Sequence, residues 1–238
     1  MDAIISIVGI VGLILFFGVL IGFFDRKNFS PVWLLSAVLF VVLNDFFLTR
    51  GYGILPRLLP LSEWNWQGKV LALIVTLLLV ALPYIGRRQI GLVLRQKKGS
   101  LGAAIPVTVA YIAFFVALAF VFPSENASVE TIAFQLTMPG LEEEIFYRGL
   151  LLFAFDRAFT GRTRFLGVDW GWGAFFSSAV FGLAHAFGYS DGAFSFEPMI
   201  MALTAVPSLL AVWLRLRTGS LVLPILLHNA GNSISYFV

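Results

Sequence analysis

The chain has 238 residues, 59% hydrophobic and 12% charged, with a net charge of +3 at neutral pH and a mean hydropathy of +0.92. A soluble domain carries about 25% charged residues, so this composition excludes an ordinary soluble fold and points to an all-α, polytopic membrane protein. The basic excess sits in short loops between apolar runs, where it sets topology and does not signal nucleic-acid binding. The absence of cysteine excludes disulfides, thiolate metal sites and cysteine nucleophiles.

About eight apolar runs are long enough to span the hydrocarbon core. The first, Ala3–Phe24, has no basic segment before it and no small-residue cleavage site after it, so it reads as a retained helix, not a signal peptide. The second, Val32–Thr49, contains Asn44 and Asp45, which face the bundle interior as supporting groups or reach from a helix end towards the interface. The segment 52–67 is amphipathic and carries Pro and Trp, which places it at the membrane surface. The third and fourth spans are Lys69–Gly86 and Leu101–Phe122, separated by the basic stretch Arg87–Lys98, and an acidic link, Pro123–Glu130, follows. The fifth, Thr131–Phe155, holds Glu142, Glu143, Glu144 and Arg148, and Pro139-Gly140 kinks it or starts it afresh. The sixth to eighth are Gly171–Tyr189, Pro198–Leu216 and Leu221–Val238. The whole chain, 1–238, reads as a single membrane domain: N-terminal helices over 1–128 and a core over 129–238. No internal repeat suggests an inverted-repeat transporter.

Twelve cations fall in the odd-numbered loops, from Arg26 to Arg217, against Arg50, Arg57 and Lys69 on the other side. This asymmetry predicts cytoplasmic odd loops and both termini outside.

Ionisable groups at membrane depth are costly and mark functional sites by default. Three pairs stand four residues apart, and so on common helix faces: Glu144 with Arg148, Phe181 with His185, and His228 with Asn232. Glu144 and Arg148 form an intrahelical ion pair in this reading. Glu143, turned about 100° away, is free to meet the two histidines, and Glu142 is a bystander. Helix rise places Glu143, His185 and His228 near one depth. A carboxylate to take a proton, imidazoles to hold water and an amide to face developing negative charge make a hydrolytic set. Each piece alone also has a structural reading as a helix–helix hydrogen bonder.

Taken together, Glu143-Glu144-x-x-x-Arg148, Phe181-x-x-x-His185 and His228-x-x-x-Asn232 resemble the CAAX-protease and bacteriocin-processing family of intramembrane proteases (the CPBP, or abortive-infection, type), which includes the type II CAAX prenyl proteases. The resemblance covers 129–238, and Gly91-Leu92-Val93-Leu94-Arg95 is similar to a further family feature. It implies an endopeptidase acting on a membrane-associated peptide or protein. Glu143 would activate water, His185, His228 and Asn232 would position water and stabilise the oxyanion, and Glu144 and Arg148 would support them. Members are commonly labelled metalloproteases, and Glu143, His185 and His228 could hold a divalent metal such as Zn²⁺, although a metal-bound Glu143 could not serve as the free base. The rival readings are a catalytically silent scaffold or immunity protein and an ion- or proton-coupled transporter. The implied location is the lipid bilayer of a bacterial-type cell membrane.

Because the chain is naturally cysteine-free, single cysteines introduced near Ser100 test the topology. They are expected to react with an impermeant maleimide only from the cytoplasmic side; labelling from outside would invert the orientation.

Overall fold

The computed structural model describes residues 1–56, 58–122 and 127–238. Arg57 of the charge count and part of the acidic link thus lie outside the described residues. The fold is mostly helical. Four helices are long and apolar enough to cross a membrane among the described residues: α1 (Asp2–Phe24), α2 (Pro31–Thr49), α4 (Leu101–Val121) and α9 (Pro198–Thr218). Between them lie α3 (Trp66–Val80), α5 (Val129–Gln135), α6 (Met138–Glu143), α7 (Leu152–Ala158), α8 (Trp172–Ala186) and α10 (Val222–Ser233). Phe16, Phe23, Phe114 and Phe120 are exposed on the outer surface, which is the placement that lipid-facing aromatics take.

Several apolar runs resolve into shorter elements. The fifth breaks after α5, and α6 begins at Met138 with Pro139 in its first turn, where the missing proline N–H has no helical carbonyl to find. The third ends at Val80 and not Gly86, because Pro83 and Gly86, at φ 73°, turn the chain. The sixth ends at Ala186 and continues into a hairpin, β3 (Phe187–Ser190) with β4 (Ala193–Phe196). Its turn, Asp191-Gly192, has φ of 53° and 82°, and Asp-Gly is a favoured sequence for such two-residue turns. A second hairpin, β1 (Thr163–Phe165) with β2 (Val168–Trp170), links α7 to α8.

The main core forms around α7 and the turn before it. Leu150, Leu151, Ala154 and Phe155 are fully buried against α2 and α8. Tight helix approaches depend on missing side chains: a methyl at Gly18 would strike Leu34, and one at Gly22 the Phe29 ring.

The odd-numbered loops meet at one end of the bundle. Ser30 N donates to Ala158 O at 2.8 Å and Thr160 N to Asn28 O at 2.8 Å. Arg215 donates from Nε to Ile90 O at 2.9 Å and from Nη2 to Gln89 O at 2.7 Å, and Leu221 N donates to Gly91 O at 2.9 Å. Arg217 reaches Gly167 O at 3.2 Å. At the opposite end, Glu130 of α5 accepts from Trp66 Nε1 at 3.0 Å and from Glu63 N at 3.0 Å, and Trp64 stacks on Phe134 at 4.9 Å. The segment read as lying on the membrane surface is therefore docked onto α5.

Gly91 sits at φ 79° with the Arg215 guanidinium packed on its α-carbon. Replacing it with Ala adds left-handed strain and a steric clash. Gly91→Ala is expected to cost about 1–3 kcal/mol, read as a lower melting temperature in detergent.

Candidate functional site

The acid run sits where the helix changes pitch. After Glu143, α6 passes into a widened π-helical segment, Glu144–Leu151, before α7 resumes, and every residue of that segment is buried. Such i→i+5 turns are rare and occur frequently at functional sites. Consecutive residues point in different directions around the helix, so the three glutamates look towards three sets of neighbours.

Glu142 is buried between α2 and α3. Asn44 Nδ2 donates to its Oε1 at 2.7 Å, and Lys69 Nζ binds its Oε2 at 2.7 Å. This corrects the bystander assignment: Glu142 is held by two partners from two other helices. The reason is physical, since a carboxylate enclosed in the bundle requires compensation. It also settles Asn44, which faces inward, while its neighbour Asp45 pairs with Arg50 at 2.5 Å.

Glu143 shares the same ammonium, with Lys69 Nζ 2.6 Å from its Oε1. Its Oε2 lies 3.5 Å from His228 Nε2 and, although buried, has no hydrogen-bond partner. One carboxylate oxygen is thus tethered, and the other faces the imidazole.

Glu144 is buried, with Oε1 3.1 Å from Arg148 Nη1 and 2.6 Å from His228 Nδ1. The expected pair with Arg148 is present as a close ion contact, and the shorter bond goes to the histidine. An ionised carboxylate only accepts, so His228 Nδ1 carries a hydrogen, and the other ring nitrogen, Nε2, is the one turned towards Glu143. Arg148 is further supported by Phe181, whose ring centre lies 4.1 Å from its Cζ.

His185 makes a 2.8 Å contact from Nδ1 to Phe181 O. A carbonyl only accepts, so this ring too carries its hydrogen on Nδ1. The Phe181 ring lies 4.6 Å from the His185 ring and 6.0 Å from the His228 ring, centre to centre. Asn232 is exposed and lines the same cavity. The neighbouring Asn229 accepts from Gly140 N at 2.7 Å, and a methyl on Gly140 would collide with it. This contact ties α10, and so His228, to the start of α6.

All six nominated residues line one cavity of about 630 Å³, joined by Lys69. Its remaining wall is largely apolar, including Leu203 and Pro207 of α9 and Phe115 of α4. Sequence reasoning missed Lys69, counting it as a loop charge; its removal leaves the topological asymmetry at twelve against Arg50 and Arg57. The available signal was its position, a lone cation followed by an uncharged run up to Arg87.

The donor set does not fit the metal reading. No group of three or more His, Asp or Glu side chains is placed to hold a metal among the described residues. Glu143, the carboxylate of the proposed donor set, is instead bound to the Lys69 ammonium.

Fold and site together define an α-helical integral membrane protein with a carboxylate–imidazole centre inside its bundle. Residues 125–234 match the family described as type II CAAX prenyl endopeptidase, Rce1-like. The chain carries an Rce1-like domain over that region, which contains all six nominated residues. No curated protein and no solved structure matches the chain.

Arg148→Met would leave the buried Glu144 carboxylate without its cation. A loss of about 3–5 kcal/mol is expected, measured as reduced thermal stability in micelles.

Proposed function

We propose that this protein is an intramembrane endopeptidase that hydrolyses a peptide bond by glutamate-activated water. The observation that carries the reading is the orientation of Glu143. Its Oε1 is bound to Lys69, and its Oε2 is buried, unpartnered and 3.5 Å from His228 Nε2. A water held between those two atoms can give its proton to Oε2 while its oxygen adds to the scissile carbonyl carbon. The Asn232 amide donates to the resulting oxyanion, and His185 and His228 hold the water and the tetrahedral centre. Collapse breaks the C–N bond, and Glu143 passes its proton to the leaving nitrogen. One water is consumed and two peptide ends are produced.

Glu144 and Arg148 serve His228, not the substrate. The carboxylate fixes the imidazole tautomer and supports a positive ring, as the acid does in other carboxylate–histidine pairs. No metal enters this scheme. The apolar cavity wall suits a membrane-associated peptide or protein chain. The proposal includes a single membrane domain with about eight membrane crossings, cytoplasmic odd loops and outward termini; meeting of those loops at one end of the bundle supports this topology.

Purified protein in nanodiscs, given a membrane-embedded peptide, tests the reading. Glu143→Gln and His228→Ala are expected to lower turnover by about 10²–10⁴-fold while remaining folded, and EDTA is expected to leave it within about twofold. Folded variants with unchanged turnover would overturn hydrolysis by this centre and favour a silent scaffold. Flux across vesicles without product peptides would favour a transporter.

A further inference from the structure

The reading above uses Glu143 but leaves unexplained why an ammonium and a second carboxylate are buried beside it. Lys69 lies in the first turn of α3, and three features place it there. Asn65 caps α3 by accepting from Gly68 N at 2.9 Å, and its Nδ2 donates to Leu48 O at 2.7 Å. Gly68 lets the α3 backbone approach Leu48 O more closely than any side chain would permit. Trp66, three residues before Lys69, is held by Glu130 of α5. The base of Lys69 is therefore fixed before its side chain enters the site.

The head group then bridges two acids, binding Glu142 Oε2 at 2.7 Å and Glu143 Oε1 at 2.6 Å. Glu142 is anchored on its other oxygen by Asn44 at 2.7 Å. The series Asn44–Glu142–Lys69–Glu143 joins α2, α6 and α3 and ends on the tethered oxygen of the proposed base. A counter-ion needed only to neutralise one buried acid would not require the second glutamate or the asparagine.

We propose that Lys69 is a positioning residue for the hydrolytic reaction, holding Glu143 by Oε1 so that Oε2 faces His228, with Glu142 and Asn44 fixing the ammonium in turn. This rests on Glu143 acting as the base. The tether removes rotation of the carboxyl group. A loosened base loses alignment at the reacting atoms, and misplacement of about 1 Å costs about 100-fold in rate.

The test compares the full-length chain in nanodiscs with Lys69→Met, Lys69→Arg, the double variant Lys69→Met/Glu142→Gln, and Glu143→Gln, using one cleavable membrane peptide. Lys69→Met is expected to lower kcat about 100-fold with KM within about twofold, and Lys69→Arg to recover most of the loss. The double variant removes one cation and one anion together, so it keeps the charge balance of the cluster and guards against simple misfolding. It is expected to melt near the parent temperature and still turn over slowly. If the double variant regains the parent kcat, Lys69 is only a counter-ion and the positioning role is overturned. That role also falls if Lys69→Met keeps its kcat, or if the loss appears in KM alone. Glu143→Gln separates the two levels. An inactive Glu143→Gln alongside fully active Lys69 variants would sink only the positioning role, whereas an active Glu143→Gln would sink the base assignment itself.

Discussion

Three adjacent carboxylates buried in an apolar bundle are the constraint on which this structure turns. Each must find compensation, and no single helix supplies it for all three. Glu142 is satisfied by Asn44 and Lys69, Glu143 is held by Lys69 and faces His228, and Glu144 contacts Arg148 and His228. The partners come from α2, α3, α10 and the acid-bearing helix itself. The charged cluster therefore specifies how four helices assemble, at a cost that hydrophobic packing alone would not incur.

The widened turn beginning at Glu144 is part of the same solution. It changes the angular step just where the acids pass from one set of partners to the next. The adjoining contacts are rigid ones: Gly140 against Asn229, and Phe181 between the Arg148 guanidinium and the two imidazoles. The result leaves two carboxylate oxygens, Glu143 Oε2 and Glu144 Oε2, buried without a hydrogen-bond partner, and the first of them faces His228 Nε2 at 3.5 Å. Far from this centre, the clasp of Arg215 on residues 89 and 90 and the bond from Leu221 to Gly91 secure the turn that starts α10, and hence the register of His228.

Much of the centre was legible in the linear chain. Glu144 and Arg148 four apart, Glu143 turned from them, and two histidines on later helices were readable because helix periodicity relates spacing to face. The break before α6 was readable from Pro139-Gly140. Less legible were the helix ends. A hydropathy run does not distinguish a helix from the turn or hairpin that follows it, so the sixth run, Gly171–Tyr189, takes in the start of the first hairpin strand, Phe187–Tyr189, although the helix ends at Ala186.

By itself the sequence determined the solvent this chain is built for, the family its second half matches and the residue types of its centre, since these follow from composition, order and local spacing. Only the tertiary structure decided which acid is paired with what. Lys69 and Asn44 lie 73 and 98 residues before Glu142, and no local periodicity links positions so far apart. The same is true of His228, whose closest bond is to Glu144 and not Glu143. Burial made these partnerships obligatory, and the packing of α2, α3 and α10 around one turn made them specific.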